Sequence, residues 1–345
     1  MELALDIFRT DDFVATEMTE MVGDIDTVPN QLATMGIFED EYLRTTTVTL
    51  VAKDNLLERV ATSERGAPEQ LKGRSGRTLR QLEGPRLAQR DRINSKEVEN
   101  LLNPMLPTAT RLDNAMELVA ERQKALKDDD ENTREYHRFG ALSGIILDAD
   151  GTTEVADFYE EFGIAQPAAI ELDLDTITAD DLRGDIDETI IMPMRRILKG
   201  RLTPNTRYQA LVSDEFWSKL IRHPGVQRIW ELQESKVDML GESMAWKSLT
   251  FGGVTWHHYY GSDDETLQVP AGQAKVFPTG AKDVFKAYHF PGESFTEVNE
   301  KAKDIYSVVS PDNRPNMFEW VDIYVRSYVL YACLAPQALM TLELP

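Results

Sequence analysis

Two aspartates at the end of an apolar run are the residues whose spacing could support catalysis. The stretch "SGIILDADGTT" from Ser143 places Asp148 directly after three apolar residues and Asp150 two positions later, followed by Gly151 and Thr152. A carboxylate at the end of a strand can act as a nucleophile, and a second carboxylate nearby can transfer a proton. The same residues equally suit a tight turn between two strands, because Asp and Gly favour turn geometry.

The catalytic interpretation resembles the nucleophile loop of haloacid-dehalogenase-type phosphatases. That family also requires an apolar residue after the threonine, and Thr153 stands there instead. Asp263, Asp264 and Lys247 could supply the remaining acidic pair and base, but their neighbours indicate a loop between strands. The sequence therefore favours the structural alternative, in which the two aspartates and Gly151 form a hairpin turn, and it predicts no catalytic residue.

Histidine and cysteine residues do not suggest a metal centre. Cys333 is the only cysteine, which leaves no intrachain disulfide and no cysteine cluster. His257 and His258 are adjacent in a segment with strand character, so their imidazoles should face opposite sides and cannot share one ion. The segment "GRSGRT" from Gly73 lacks the spacing of a phosphate-binding loop and is interpreted as a flexible basic tip. We expect neither metal nor cofactor.

The charge of the chain is large and unevenly distributed. Its formal net charge of −22 argues against general affinity for nucleic acid, which depends on Lys and Arg. The segment from Arg59 to Lys96 contains ten basic and four acidic residues, whereas the segment from Asp128 to Gly200 contains nineteen acidic and six basic residues. This asymmetry indicates either two differently solvated faces or a contact between two copies of the chain. The candidate residues for such a contact between subunits are Arg74, Arg77, Arg80 and Arg86.

The composition predicts a packed chain, and two segments that could have been a secretory signal or a membrane span do not fit those roles, which favours a soluble protein. With 345 residues, 42% of them hydrophobic, the chain is long enough for a full core. The amino terminus carries acids from Glu2 onward and does not resemble a secretory signal. The apolar stretch from Val321 is interrupted by Asp322 and Arg326 and ended by Pro336, so it is too short and too charged to span a bilayer. We expect folding in the cytosol and no membrane partner.

The amino-terminal third of the sequence predicts extended structure with little core of its own. Residues 1 to about 40 are acidic and weakly periodic, which is typical of an arm that lies over another part of the molecule. A strand is expected around Val48, then a turn near Asp54 and a second strand through Val60. The glycine-punctuated segment up to Leu87 has few apolar residues and is predicted to be a long basic loop that projects from the body.

The rest of the chain predicts alternating helices and strands. One long helix should follow from Thr108, either continuous or interrupted near Asp128, and the acidic run that starts there is interpreted as a solvated face. A second helix should reach Pro193, and an amphipathic helix should be capped by Ser213 and end at His223. Short strands are expected between these helices, and the last 30 residues alternate as sheet strands do.

Several stretches, taken together and in order, resemble the phage lambda-type major capsid protein family, the E family. They are "EYHRFGALSGIILDADGTTEVADFYEEFGI", "ALVSDEFWSKLIRHPGVQ", "FGGVTWHHYYG", "AKVFPTGAKDVFKAYHFPGESFTEVNEKAKDIY" and "YVLYACLAPQALMTLEL". They cover about residues 130 to 345. The aromatic "YVRSYVLYACLAP" replaces a more polar strand of the family, which affects local packing alone. The resemblance implies that Asp148, Asp150 and Gly151 are hairpin residues.

The fold implied by this resemblance is α+β, the Hong Kong 97-type phage capsid fold, with an N-terminal arm, an extended β loop, a long spine helix, and peripheral and axial domains. The expected boundaries are an arm at 1–42, a basic β loop at 43–100, the spine helix and hairpin of the peripheral domain at 101–165, a mostly axial domain at 166–290, and carboxyl-terminal strands that return to the peripheral domain at 291–345.

The function implied is that of a major capsid protein of a tailed double-stranded DNA phage or prophage. Such a chain self-assembles into hexamers and pentamers of an icosahedral shell that encloses the genome without sequence-specific binding. The implied partners are other copies of the chain, a scaffold and a portal, with a decoration protein left open. The implied location is the virion capsid, assembled in the host cytoplasm. The alternatives are the phosphatase described above and an encapsulin-like compartment shell.

Overall fold

The computed structural model describes residues 30–52, 78–94, 97, 108–227, 247–261, 267–295, 297, 300–312 and 319–345. The α-helices are α1 (Gln31–Met35), α2 (Thr108–Ser143), α3 (Phe158–Phe162), α4 (Leu182–Ile186), α5 (Met192–Leu198) and α6 (Asp214–Arg222). The strands are β1 (Glu39–Tyr42), β2 (Thr47–Ala52), β3 (Thr78–Glu83), β4 (Leu87–Asn94), β5 (Ile145–Leu147), β6 (Glu154–Asp157), β7 (Ile170–Glu171), β8 (Arg207–Val212), β9 (Ser248–Phe251), β10 (Val254–His258), β11 (Gln273–Thr279), β12 (Phe285–His289), β13 (Tyr306–Pro311), β14 (Trp320–Ser327), β15 (Val329–Cys333) and β16 (Met340–Glu343).

The described strands form one large sheet and several small ones. The central sheet has six strands in the order β7-β16-β11-β8-β10-β9. The arm sheet has the order β1-β12-β15, and the outer sheet has the order β13-β14-β4. β2 pairs with β3, and β5 pairs with β6, each as an antiparallel ribbon. Helices and sheets are thus mixed along the chain, as the α+β prediction requires.

The long helix α2 is continuous over its 36 residues and passes through Asp128 without a break. Its buried residues follow a narrow stripe that recurs every three or four positions, as expected for one helix face packed on a core. The stripe is formed by Val119, Gln123, Leu126, Asp130, Arg134, His137 and Ala141. Treating the acidic run as a solvated face was wrong for Asp130, which is 4% exposed. The Asp130 carboxylate can be buried because Arg134, one turn later in the same helix, pairs with it.

Gly144 ends the long helix. Its φ of +88° lies in the left-handed region, where glycine is favoured because it has no Cβ. A Cβ at this position would also collide with the ring of Tyr159. The backbone N–H of Gly144 donates to the carbonyl of Ala141 at 3.3 Å, and the chain then enters β5.

The segment predicted to be a long basic loop ends in a strand. Its carboxyl-terminal part forms β3, which pairs with β2, so that Leu82 lies opposite Val48 and both are buried. The chain then enters β4, which pairs along its whole length with β14. Local apolar content was too low to reveal these strands, because their partners lie elsewhere in the sequence. The turn near Asp54 and the strand through Val60 lie outside the described residues.

The prediction that a helix ends at Pro193 was also wrong. A π-helical turn at Asp187–Ile191 follows α4, and α5 then continues through Pro193 to Leu198. The N–H of Met192 bonds to the carbonyl of Asp187, five residues back. This wider turn precedes the proline, which lies in the first turn of α5, where its missing N–H costs little.

The core surrounds the central sheet. Trp256 of β10 is fully buried, stacks on Phe216 of α6 at a centroid distance of 5.9 Å, and donates its indole N–H to the carbonyl of Phe251 at 3.2 Å. The hydroxyl of Ser213 accepts the N–H of Phe216 at 3.4 Å, which confirms the predicted N-cap of α6. The described chain contains no helix apolar and long enough for a bilayer crossing.

Candidate functional site

Asp148 and Asp150, the two aspartates considered for catalysis, lie in the connection between β5 and β6. The N–H of Asp148 donates to the carbonyl of Thr153 at 2.8 Å, and the N–H of Gly151 donates to the carbonyl of Asp148 at 2.9 Å. Gly151 has a φ of +68°, the geometry that favours glycine. The structure thus brings Asp148, Asp150 and Gly151 together in one exposed turn.

The hydrogen bonds of Asp150 suit a turn better than proton transfer. One carboxylate oxygen accepts the N–H groups of Thr152 and Thr153 at 2.9 and 2.8 Å, and the other accepts the Thr153 hydroxyl at 2.6 Å. These hydrogen bonds hold the pKa of Asp150 well below its ordinary value of 3.8, and the bond from the Thr153 hydroxyl has the largest effect. A carboxyl that stays ionised cannot act as a general acid near neutral pH. Within the described chain, neither Asp148 nor Asp150 forms an ion pair with a Lys or Arg.

Three further carboxylates surround the base of this hairpin. The carboxylate oxygens of Glu154, Asp157 and Glu160 lie within 4.8 Å of one another. These three residues are therefore the ones at the hairpin that could hold a cation. Asp157 has a structural task as well, because it caps α3 by accepting the N–H groups of Tyr159 and Glu160 at 2.7 and 3.2 Å. This end of the molecule is therefore strongly acidic.

The structure separates the four arginines that the sequence grouped as contact candidates. Arg74 and Arg77 lie outside the described residues. Arg80 lies in β3, in register with Leu50 of β2. Arg86 follows that strand and pairs with Glu293 of its own chain at 2.9 Å, with both side chains about half exposed.

The most heavily engaged charged residues lie on and beside the buried stripe of the long helix, together with one residue that precedes β13. We call them the anchor cluster: Asp130, Glu131, Arg134, Glu135, Arg138 and Asp304. Arg134 is 4% exposed and its guanidinium contacts three oxygens. Its Nε lies 2.8 Å from Asp130, its Nη1 lies 2.8 Å from the Asp304 carboxylate, and its Nη2 donates to the Asp304 carbonyl at 2.7 Å. Burial disfavours the charge of Arg134, but Asp130 and Asp304 outweigh it and raise the pKa above its ordinary value.

Glu135 connects the anchor cluster to the amino-terminal segment. Its side chain is fully buried, and its two oxygens accept the backbone N–H groups of Leu32 and Ala33 at 2.7 and 3.3 Å. These are the second and third N–H groups of α1, which Asn30 leaves without a side-chain cap. Burial raises the pKa of Glu135, although these N–H groups and Arg138 oppose that effect. A helix end is thus capped by a carboxylate from a different element.

The segment that follows α1 is held by the arm sheet. β1 pairs in parallel with β12, and Asp40 lies 3.0 Å from Nε2 of His289. Tyr42 stacks on the His289 imidazole with a centroid distance of 4.3 Å. Leu32 is fully buried in the main core, whereas Glu39, Asp40 and Tyr42 of β1 stay exposed. A cleft of about 390 Å³ remains between this segment, the anchor cluster and His289.

The two adjacent histidines lie in different surroundings. Nε2 of His258 contacts the Asp214 carboxylate, and its imidazole stacks on Trp217 with a centroid distance of 5.6 Å. Burial lowers the pKa of His257 to about 4. The two imidazoles therefore have separate surroundings and do not converge on one site.

Comparison with known proteins shows which family contains this chain. The family model described as phage major capsid protein E matches residues 15–344. The chain belongs to the phage major capsid protein E family. It is 22% identical to the major capsid protein of Salmonella phage Felix O1, across 94% of this chain and 95% of that protein. It is 26% identical to the major capsid protein of Pseudomonas phage KPP10, across 90% of this chain and 89% of that protein.

A solved structure shows the same fold at lower sequence identity. A prophage protein of E. coli CFT073, described as a capsid protein, superimposes with a TM-score of 0.51 and 12% identity, covering 78% of this chain and 80% of that one. The expected Hong Kong 97-type capsid fold is confirmed. The phage major capsid protein E family is a family of structural proteins, and the hairpin geometry agrees with a structural role for Asp148 and Asp150.

Sequence reasoning missed the anchor cluster of this family member. A signal was present, because Asp130 and Arg134 are four residues apart and Glu135 and Arg138 are three apart, which are the spacings of helix ion pairs. Such pairs usually lie at the surface. Their burial depends on Leu32 and Asp304, which come from distant parts of the chain and carry no local signal.

Proposed function

We propose that this chain assembles into hexamers and pentamers of an icosahedral phage head that encloses double-stranded DNA. The match to the capsid family over residues 15–344 is the observation that carries the proposal. The curated relatives are matched over about nine tenths of their length, so the likeness is not confined to one module. Other copies of the chain, a scaffold and a portal are the proposed partners, and assembly takes place in the host cytoplasm.

The division of the chain into capsid domains is part of this proposal. Residues 1–42 serve as the arm, 43–100 as the β loop, 101–165 as the spine helix and hairpin, 166–290 as the mostly axial domain and 291–345 as the returning strands. Two features of the described residues support it. The long helix α2 and its hairpin are contiguous, and β14 returns from the carboxyl-terminal region to pack beside this helix.

The charge of the chain fits a container for DNA. A wall with many exposed cations would bind the packaged genome along its phosphates and slow its movement. With a net charge of −22, the chain repels DNA on average, and contacts between subunits can use the opposite charges of separate segments.

Electron microscopy of the purified protein tests the proposal. The expected result is closed, icosahedral particles with hexameric and pentameric units. Particles isolated from a phage lysate should contain a portal and nuclease-protected double-stranded DNA, which separates a phage head from an encapsulin-like compartment. A protein that stays monomeric under all assembly conditions, with or without its scaffold, would contradict the proposal.

A further inference from the structure

The outer sheet has two faces of different composition. One face is directed at the long helix, where Ser307 bonds to Gln123 at 2.8 Å and Ser327 bonds to Asp130 at 2.6 Å. Because side chains alternate along a strand, the intervening residues lie on the opposite face. That face carries Trp320, Asp322, Tyr324 and Arg326 from β14 and Ala88, Arg90, Arg92 and Asn94 from β4.

This opposite face is rich in arginine and aromatic groups, and we call Arg90, Arg92, Trp320, Tyr324 and Arg326 the arginine–aromatic face. Arg92 forms two bonds to Asp322, at 2.7 and 3.1 Å, and its guanidinium lies 4.2 Å from the centre of the Trp320 ring. Arg326 lies 5.5 Å from the centre of the Tyr324 ring. Arginines held on aromatic rings lose little further freedom when a partner binds.

The charge of this face is not balanced within the described chain. Arg92 occupies both oxygens of Asp322, and the buried Asp312, which follows β13, also stabilises the charge of Arg92, so three arginines lie beside two carboxylates. Among the described residues, neither Arg90 nor Arg326 forms an ion pair with a carboxylate. Arg90 is exposed, while Arg326 and Tyr324 are half-buried. A chain with a net charge of −22 thus presents a positive face of the residue types that dominate binding at protein interfaces.

A complementary surface lies near the other end of the long helix. Between Arg138 and Arg183 the sequence contains eleven acidic residues and no Lys or Arg. The hairpin and the start of α3 expose part of this set, and we call Asp148, Asp150, Glu154, Asp157 and Glu160 the acidic hairpin patch. The mutual proximity of Glu154, Asp157 and Glu160 makes this patch a site of like-charge repulsion that a cationic partner would relieve.

The two surfaces lie at different levels along the long helix. The outer sheet contacts the long helix at Gln123 and Asp130, and the hairpin begins after Ser143. The tip of the hairpin turns back along the helix, because a Cβ on Gly151 would lie 4.0 Å from the Tyr136 hydroxyl. At 1.5 Å per helical residue, Asp130 and Tyr136 are separated by about 9 Å along the helix axis. Two different patches at separate positions on one subunit permit a head-to-tail contact, which is the kind of contact that builds rings.

We propose that the arginine–aromatic face of one subunit binds the acidic hairpin patch of an adjacent copy of this chain. The inference rests on the proposed self-assembly and names the surfaces that join two subunits. Its occupant is a second copy rather than DNA, because the overall charge of the chain repels DNA while the acidic patch supplies the complementary charge.

Charge reversal tests the contact. The face variant is Arg90→Glu with Arg326→Glu, and the patch variant is Glu154→Lys with Glu160→Lys. Each alone should lower the sedimenting, assembled fraction by about tenfold or more, and all four changes together should restore it to within about twofold of the wild type. The neutral pair Arg90→Gln with Arg326→Gln serves as a matched control for folding, with circular dichroism as the readout.

Cysteine cross-linking gives a second measurement that does not require a closed shell. Cys333 is the only native cysteine and is buried. A chain with Arg90→Cys and Glu154→Cys should form a ladder of disulfide-linked oligomers, whereas each single variant should remain monomeric. Dimers of the Arg90→Cys variant alone would mean that the face binds itself and would overturn the inference.

The outcomes separate this inference from the proposed function. Wild-type shells together with normal assembly of both charge-reversal variants would leave the proposed function intact and refute the contact. Loss of DNA binding in the face variant, with assembly unchanged, would also refute it and identify DNA as the occupant. Absence of wild-type shells would count against the proposed function, and the cysteine ladder would still decide whether these two surfaces meet.

Discussion

The carboxylate of Glu135 accepts the backbone N–H of Leu32 at 2.7 Å, although 103 positions separate the two residues in the sequence. One buried side chain of the long helix therefore fixes the start of α1 and, through it, the residues that lead to β1. In a capsid subunit this bond couples the amino-terminal segment to the helix that organises the fold.

Removing this carboxylate should release the segment. Glu135→Ala leaves two helix-end N–H groups without an acceptor and removes one of the two carboxylates that pair with Arg138, so we expect a loss of roughly 3 kcal/mol of unfolding free energy. Hydrogen exchange at Leu32 and Ala33 should accelerate more than exchange in the central sheet. Glu135→Gln keeps an acceptor oxygen and should lose less. Equal protection in wild type and Glu135→Ala would contradict this account.

Gly144 should tolerate no side chain. Gly144→Ala combines a left-handed backbone with a collision against the Tyr159 ring, and we expect a loss of about 2–4 kcal/mol in urea unfolding. Gly36→Ala is a matched control, because Gly36 has a φ of +57° and nothing lies within 4 Å of the added Cβ. That variant should lose about 1 kcal/mol, from backbone strain alone. Similar losses in both variants would show that the ring contact does not matter.

Buried histidines should make the subunit sensitive to mild acid. Burial lowers the pKa of His137 from 6.5 to about 4. Between those values the unfolded chain binds a proton that the folded chain does not, so stability is complete above pH 6.5 and falls as the pH approaches 4. The loss from His137 should reach roughly 3 kcal/mol. Urea unfolding of His137→Gln at several pH values should show a flatter dependence than wild type, and parallel curves would refute the assignment.

The hairpin aspartates should be dispensable for chemistry. Asp148 is exposed, and its side chain accepts the N–H of Ala149 at 2.8 Å, which an asparagine oxygen can also do. Asp148→Asn should therefore change stability by no more than about 0.5 kcal/mol and leave particle yield unchanged. A phosphatase assay with magnesium should give no turnover for either protein. Turnover that disappears in the variant would establish the catalytic alternative.

The basic segment should be needed for assembly and not for folding. Changing Arg74, Arg77 and Arg80 together to Glu replaces attraction to an acidic neighbour by repulsion, so the variant should keep its circular dichroism but sediment as monomers or small rings. Arg86 is the matched control, because its ion pair with Glu293 lies within the subunit and contributes at most about 1 kcal/mol. Normal shells of the triple variant in low salt, where repulsion is least screened, would refute the role of this segment.

Features that depend on a few neighbouring residues could be predicted from the sequence. The apolar spacing in the long helix, the Asp-Gly turn at Asp150 and Gly151, and the serine cap at Ser213 each arise from local geometry and local hydrogen bonds. These are the elements found where they were predicted. The family resemblance rested on the order of such elements along the chain.

The contacts between distant segments became visible only in the folded chain. The sequence did not reveal that β4 pairs with β14, that Arg92 bonds to Asp322 across 230 positions, or that Asp130 is buried beside Arg134. The helix that continues through Pro193 likewise depends on a π-helical turn that no short motif announced. Strand pairing and charge burial are favourable only when the whole core supplies the partner and excludes water, so a local pattern cannot encode them.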